Sequence, residues 1–133
     1  MAGQAETEAP PAVKSTAEDH NQRGVELYEN ERYDEAVDQF KKALALDPGN
    51  SLYHCNLAVA YGERGDVSEA FSEYQRALSL NPADLTSLLN LGYAYEQQGE
   101  TEKARREWQK LVDAAPLSAE ADEARENLTS LEP

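Results

Sequence analysis

From residue 17 onward the apolar positions recur at three- and four-residue spacing, in short bursts separated by polar breaks, which is the signature of amphipathic helices. Between 85 and 118, Leu88, Leu91, Gly92 and Tyr95 fall on one helical stripe. After a break at QQGE, Ala104, Trp108 and Leu111 form the next. This two-stripe unit recurs with a step of 34 residues: Asn56 matches Asn90, Tyr61 matches Tyr95, Gly65 matches Gly99, Ala70 matches Ala104, Tyr74 matches Trp108 and Pro82 matches Pro116. One period earlier stand Ala36, Phe40, Ala43 and Pro48, matching Ala70, Tyr74, Ala77 and Pro82. The pattern predicts three copies, 17–50, 51–84 and 85–118, each an antiparallel helix pair.

The punctuation of the chain agrees with these boundaries. Gly65 and Gly99 stand where a helix would end in a left-handed residue, a conformation glycine adopts without steric penalty. The prolines of DPGN, NPAD and APLS stop each second helix, and Asn50, Asp84 and Ser118 are placed to cap the helix that follows. Asp66 with Glu69 resembles a capping box for the second helix of the middle copy, and Ser15 or Thr16 is placed to cap the first helix of all. Gly24, Ala58 and Gly92 share one repeat position, and Ala36, Ala70 and Ala104 share another. Glycine inside a helix costs about 1 kcal/mol relative to alanine, so its presence predicts close helix contact. Beyond the third copy, SAEADEARENLTSLEP predicts one more helix over about 119–131, with Ala121, Ala124, Leu128 and Leu131 as a thin apolar stripe under a charged outer face. Residues 1–15 read as a disordered segment rich in Ala, Glu and Pro, and 16–133 as a single domain.

The recurring order of Gly or Ala, then Tyr, then Ala, an aromatic residue, Ala and Pro resembles the tetratricopeptide repeat (TPR) family over residues 17–118. The first copy departs most from the pattern, with Leu27 in the Tyr place, Arg23 in a Leu place and Glu31 in the turn Gly place; His20 and His54 stand where the family often has Trp, and packing is the role expected of them. The resemblance implies an all-α, right-handed α-solenoid of three helix-turn-helix repeats, closed by a C-terminal capping helix. It also implies that the first helix of each pair lines a concave groove that acts as a protein-interaction surface.

The residues expected to line that groove are Asn21, Gln22 and Val25 in the first copy, with Glu18, Tyr28 and Glu29 nearby. Leu52, Cys55, Asn56 and Val59 follow in the second copy, and Thr86, Leu89, Asn90 and Tyr93 in the third. Lys41, Lys42, Arg76, Lys103, Arg105, Arg106 and Lys110 all lie on second helices, so the groove is expected to be neutral, rich in amides and edged by Glu18, Glu29, Glu63 and Glu96. Members of the family that grip a chaperone's C-terminal carboxylates do so with Lys, Arg and Asn; at the matching places this chain has Asn21, Val25, Asn56, Thr86 and Asn90, of which only Asn56 fits. A carboxylate clamp is therefore not expected.

Asparagine is a mediocre helix former because its amide competes for nearby backbone groups. Its recurrence at 56 and 90 suggests a short amide ladder, with Gln22 as a third rung, for hydrogen-bonding the backbone of a bound segment. Leu52, Val59, Leu89 and Tyr93 would add apolar contact. The competing reading is that each amide faces water or bonds within its own repeat.

The net charge of −14 argues against nucleic acid or an anionic membrane as partner and favours a neutral or basic protein or peptide. The same acidity fits a high-salt habitat. No apolar run reaches the length of a membrane span or signal-peptide core, which predicts a cytoplasmic protein unless a targeting segment is missing. Cys55 is the single cysteine and only two histidines are present, so no internal disulfide, metal site or cofactor is expected. GERGD and QQGE read as helix turns and not as phosphate loops, and an enzyme is not expected. A monomer is favoured, with homotypic assembly through the helical stack or the C-terminal helix as the alternative function.

Overall fold

The computed structural model describes residues 15–132, so the segment 1–14 lies outside the described residues. Among the described residues seven helices follow one another: α1 (Ala17–Glu29), α2 (Tyr33–Leu46), α3 (Ser51–Arg64), α4 (Val67–Leu80), α5 (Leu85–Gln97), α6 (Thr101–Ala114) and α7 (Ala119–Ser130). The pairs α1/α2, α3/α4 and α5/α6 are the three repeats, each pair packs on the next, and α7 packs on α6 and α5. The first helices also touch along the stack, α1 against α3 and α3 against α5, and so form one continuous face.

Side-chain caps set most of the first-helix boundaries. Thr16 accepts from the backbone N–H of Asp19, whose carboxylate in turn accepts from the Thr16 N–H, closing a capping box. Asn50, Asp84 and Ser118 accept from the N–H groups of Tyr53, Ser87 and Ala121. Each satisfies a donor that the first turn of a helix otherwise leaves free. The capping box expected at Asp66 does not form. Its carboxylate is taken by Arg64 at 2.6 Å, because a guanidinium two residues away offers a stronger, charged donor than the backbone. Gly65 and Gly99 adopt left-handed φ values of 91° and 77°, and in the first repeat the same turn forces Glu31 to φ 60°.

The aromatic residue of each second helix meets the small residue of its own first helix. A Cβ added at Gly24 would lie 2.5 Å from the Phe40 ring, and one at Gly92 would fall on the Trp108 indole. In the middle repeat the corresponding pair is Ala58 and Tyr74, both buried. One core cluster runs from Ala36, Val37 and Phe40 through Leu57, Tyr61 and Tyr74 to Leu91. A second joins Leu88, Trp108 and Leu111 to Ala121 and Ala124 of α7. The capping helix therefore completes the core of the last repeat, as the end of a solenoid requires.

The histidines do more than pack. His20 Nδ1 lies 2.8 Å from the Gln39 amide oxygen. His54 Nδ1 lies 2.7 Å from the Glu73 carboxylate and its Nε2 lies 2.9 Å from the Pro48 carbonyl oxygen. Glu73 is buried and also pairs with Arg76, while its repeat counterpart Glu107, likewise buried, pairs with Lys110 at 3.1 Å. The second helices of the middle and last repeats thus each carry a buried carboxylate tied to a neighbour.

Candidate functional site

Two adjoining cavities lie along the face made by the first helices. The lower one, about 240 Å³, is lined by Val25, Tyr28 and Glu29 of α1, Phe40 of α2, and Asn56 and Val59 of α3. The upper one, about 300 Å³, is lined by Tyr28, Gly62, Glu63, Tyr74, Asn90 and Tyr93, with Val59 and Gln97 among the remaining residues. Tyr28 and Val59 belong to both and form the wall between them.

The expected groove residues divide into three groups. Val25, Asn56, Val59, Asn90 and Tyr93 line the cavities. Gln22 and Leu52 are exposed, as is Thr86, and none of the three lines either cavity. Asn21, Cys55 and Leu89 are buried, at 5, 2 and 9% exposure. Cys55, expected to face the groove, instead joins the core cluster that runs from Ala36 to Leu91, where burial pushes its thiol up to about 12. Leu89 packs with Leu88 and Trp108, and its carbonyl accepts the Trp108 indole N–H at 3.0 Å. These two point inward because α5 and α7 close over that side of the first helices.

The amides reach back along the stack. Asn56 donates to the side-chain oxygen of Asn21 at 2.8 Å, and Asn90 lines the upper cavity with Tyr74 of the preceding repeat. The Asn56 bond crosses from the second repeat to the first. The partner of Asn56 is therefore Asn21 and not Gln22, the residue in repeat register. Two further bonds run along the same face: the Tyr53 hydroxyl donates to Glu18 at 3.1 Å, and the Tyr93 hydroxyl donates to Glu123 of α7. After its bond to Asn21, Asn56 keeps one amide N–H and the carbonyl oxygen for other partners.

Among the described residues Glu29 and Glu63 are the only charged ones in the two linings. Burial, followed by the Glu63 carboxylate and Tyr33, raises the Tyr28 phenol above its ordinary value. Burial is also the main cause of the upward shift at Tyr74, which the nearby Asn90 amide opposes. The cations are engaged elsewhere: Arg64 pairs with Asp66 and Asp34 and lies over the Tyr61 ring, while Lys103 lies over Tyr95. Among the described residues no cluster of His, Cys, Asp and Glu is placed to hold a metal ion, and no helix is long and apolar enough to cross a membrane. Periodicity alone does not reveal that Tyr74, a core residue by its repeat position, also reaches the upper cavity. Gly62 does carry a signal, since it is a glycine in a helix interior with no glycine at either repeat counterpart, Tyr28 or Glu96.

Two family profiles match the chain, one described as TPR repeat over residues 24–65 and one as tetratricopeptide repeat over 55–119. The chain belongs to the TPR family. Solved TPR structures agree. The Arabidopsis OM64 TPR domain superposes with a TM-score of 0.79 at 22% identity, covering 86% of this chain and 95% of that one. The first TPR of Spaghetti (RPAP3), bound to the HSP90 peptide SRMEEVD, gives 0.80 at 24% identity, covering 92% and 95%. The Sgt2 TPR domain from Aspergillus fumigatus gives 0.78 at 21% identity, covering 92% and 83%. No curated protein sequence matches the chain. TPR domains are non-enzymatic protein-interaction modules, some of which bind peptides.

Proposed function

We propose that this TPR domain captures an extended segment of a partner protein along the face of α1, α3 and α5, with Asn56 and Asn90 bonding the segment's backbone. The observation that carries the reading is that these two asparagines, one repeat apart, line two adjoining cavities. Asn56 keeps hydrogen-bonding capacity beyond the bond that ties it to the neighbouring repeat. Val25, Val59 and Tyr93 supply apolar contact beside them, and Asn21, from beneath, holds Asn56 in place. Gln22 and Leu52 are exposed on the same first helices and contribute at the rim.

The partner is neutral or basic, because carboxylates are the only charges in the linings. A clamp for terminal carboxylates would need Lys, Arg and Asn at places where this chain has Asn21, Val25, Thr86 and Asn90. Assembly of copies through α7 is disfavoured, since that helix buries Ala121 and Ala124 and exposes Asp122, Glu123, Arg125 and Glu126.

The test is selection of binding peptides from a random library, followed by titration of Asn56→Ala and Asn90→Ala. A net hydrogen bond is worth about 0.5–1.5 kcal/mol, so each change should weaken binding several-fold and the pair by about tenfold or more. Asn56→Ala also leaves Asn21 without its partner, so circular dichroism must first confirm the fold. Unchanged affinity in both folded variants removes the amide mechanism.

A further inference from the structure

We propose that the upper cavity is a socket for one cationic side chain of the bound segment, a Lys or Arg, with Glu63 as counter-charge and the Tyr28 and Tyr93 rings as walls. This deepens the groove reading and rests on it. Gly62 is the first support. Gly24 and Gly92 are glycines because an aromatic ring of the second helix occupies the space a Cβ would take. Gly62 has no such reason: a Cβ there meets nothing within 4 Å. It weakens α3 by its poor helix propensity while leaving open the cavity that it lines. In the first repeat the same position holds Tyr28, whose ring fills space; in the middle repeat the space is kept empty.

The second support is charge. Among the described residues Glu63 is the only charged one in the lining of this cavity, and it has no ion-pair partner there. The neighbouring Arg64 is turned toward Asp34 and Asp66. An occupant that covered Glu63 without bringing a positive charge would strip water from a carboxylate and leave it unpaired, which is strongly unfavourable. An anionic occupant would add repulsion. A cation satisfies the carboxylate, and its alkyl stem or guanidinium plane suits the phenol rings, whose faces attract positive charge. The side-chain amides of Asn90 and Gln97 supply acceptors at the same cavity. Its volume, about 300 Å³, suits one side chain better than a large cofactor. Glu63 also reaches the rings electrostatically, since it contributes to the raised phenol values of both Tyr28 and Tyr74.

The socket is tested apart from the peptide backbone with small probes. The ¹⁵N-labelled full chain is titrated with N-acetyl-L-arginine amide, N-acetyl-L-lysine amide and N-acetyl-L-citrulline amide, the last having arginine's shape without its charge. The Arg or Lys probe should shift the backbone amides of Gly62, Glu63, Asn90 and Gln97, and the citrulline probe should bind about tenfold more weakly. Glu63→Gln should lower the cationic probes to the citrulline level. Gly62→Leu should abolish the shifts while keeping or raising the melting temperature, because the added side chain meets open space and improves helix propensity. The socket is overturned by equal binding of the Arg and citrulline probes, by unchanged binding in Glu63→Gln, or by no shift from either cation at millimolar concentration. If library peptides still depend on Asn56 and Asn90 but show no preference for Lys or Arg, the groove stands and the socket falls. If the amide substitutions change nothing but the cationic probes bind, the socket stands and the amide mechanism falls.

Discussion

Gly92→Ala sets helix propensity against packing, and the two predict opposite signs. In an isolated helix the change would stabilise α5 by about 1 kcal/mol. In the folded protein the new methyl falls on the indole of Trp108, which is fully buried. Overpacking of this kind costs about 1–3 kcal/mol. The ring has to move to relieve it, and it then strains or loses the 3.0 Å bond from its Nε1–H to the Leu89 carbonyl. A buried pair broken in this way costs about 1–3 kcal/mol. The balance is a destabilisation of roughly 2–3 kcal/mol, or about 10 °C or more in melting temperature for a domain near this size. The middle repeat supplies the control, since Ala58 and Tyr74 occupy the equivalent positions and are both buried. Adding Trp108→Tyr to Gly92→Ala recreates that pair. The double variant should be more stable than the single costs predict by at least about 1 kcal/mol. Urea denaturation followed by circular dichroism serves all four proteins, because it does not depend on the tryptophan being replaced. If Gly92→Ala raises stability by about the propensity increment, close approach of α5 and α6 is not what selects glycine here.

Further outcomes can be stated from the same structure. Glu31→Gly should raise stability by about 0.5–1 kcal/mol in thermal denaturation, since Glu31 holds φ at 60° and the left-handed penalty exceeds the extra freedom glycine gives the unfolded chain. The Cys55 thiol is raised by burial from 9.0 to about 12, so its contribution to stability is complete below pH 9 and is lost as pH rises toward 12. Tyr74, also raised by burial, adds to that alkaline loss, and Cys55→Ala should flatten the decline of the midpoint of unfolding between pH 9 and 11 (about two units, within the linkage window). At pH 8 a thiol reagent should label Cys55 only as fast as the protein opens, and rapid labelling of the native state would contradict its burial. The acidic peptide SRMEEVD, bound by the Spaghetti domain, should show no saturable binding to this chain by calorimetry; tight binding would refute the neutral-to-basic partner.

The helix pairs, four of the caps and the glycine contacts are legible in the sequence because each rests on short-range spacing. Asn50 caps α3 from three residues away, and Gly92 announces its close neighbour by being glycine in a helix. The failures are of a different kind. Asp66 looks like a cap until Arg64 competes for it. Gln22 stands in register with Asn56, yet Asn21 makes the bond. Successive residues on a helix point about 100° apart, so which of two neighbours meets the next repeat depends on how the helices are rotated against each other.

The sequence by itself determined an all-α stack of three TPR units with a capping helix, since periodicity and turn chemistry are properties of the chain read locally. Tertiary packing alone decided that Cys55 and Leu89 turn inward, that Asn56 ties its repeat to the one before, and that Gly62 and Glu63 border an open cavity. The physical reason is that a groove is shaped by the angles between repeats. Those angles are set by many side chains packing at once, and no single period in the sequence carries them.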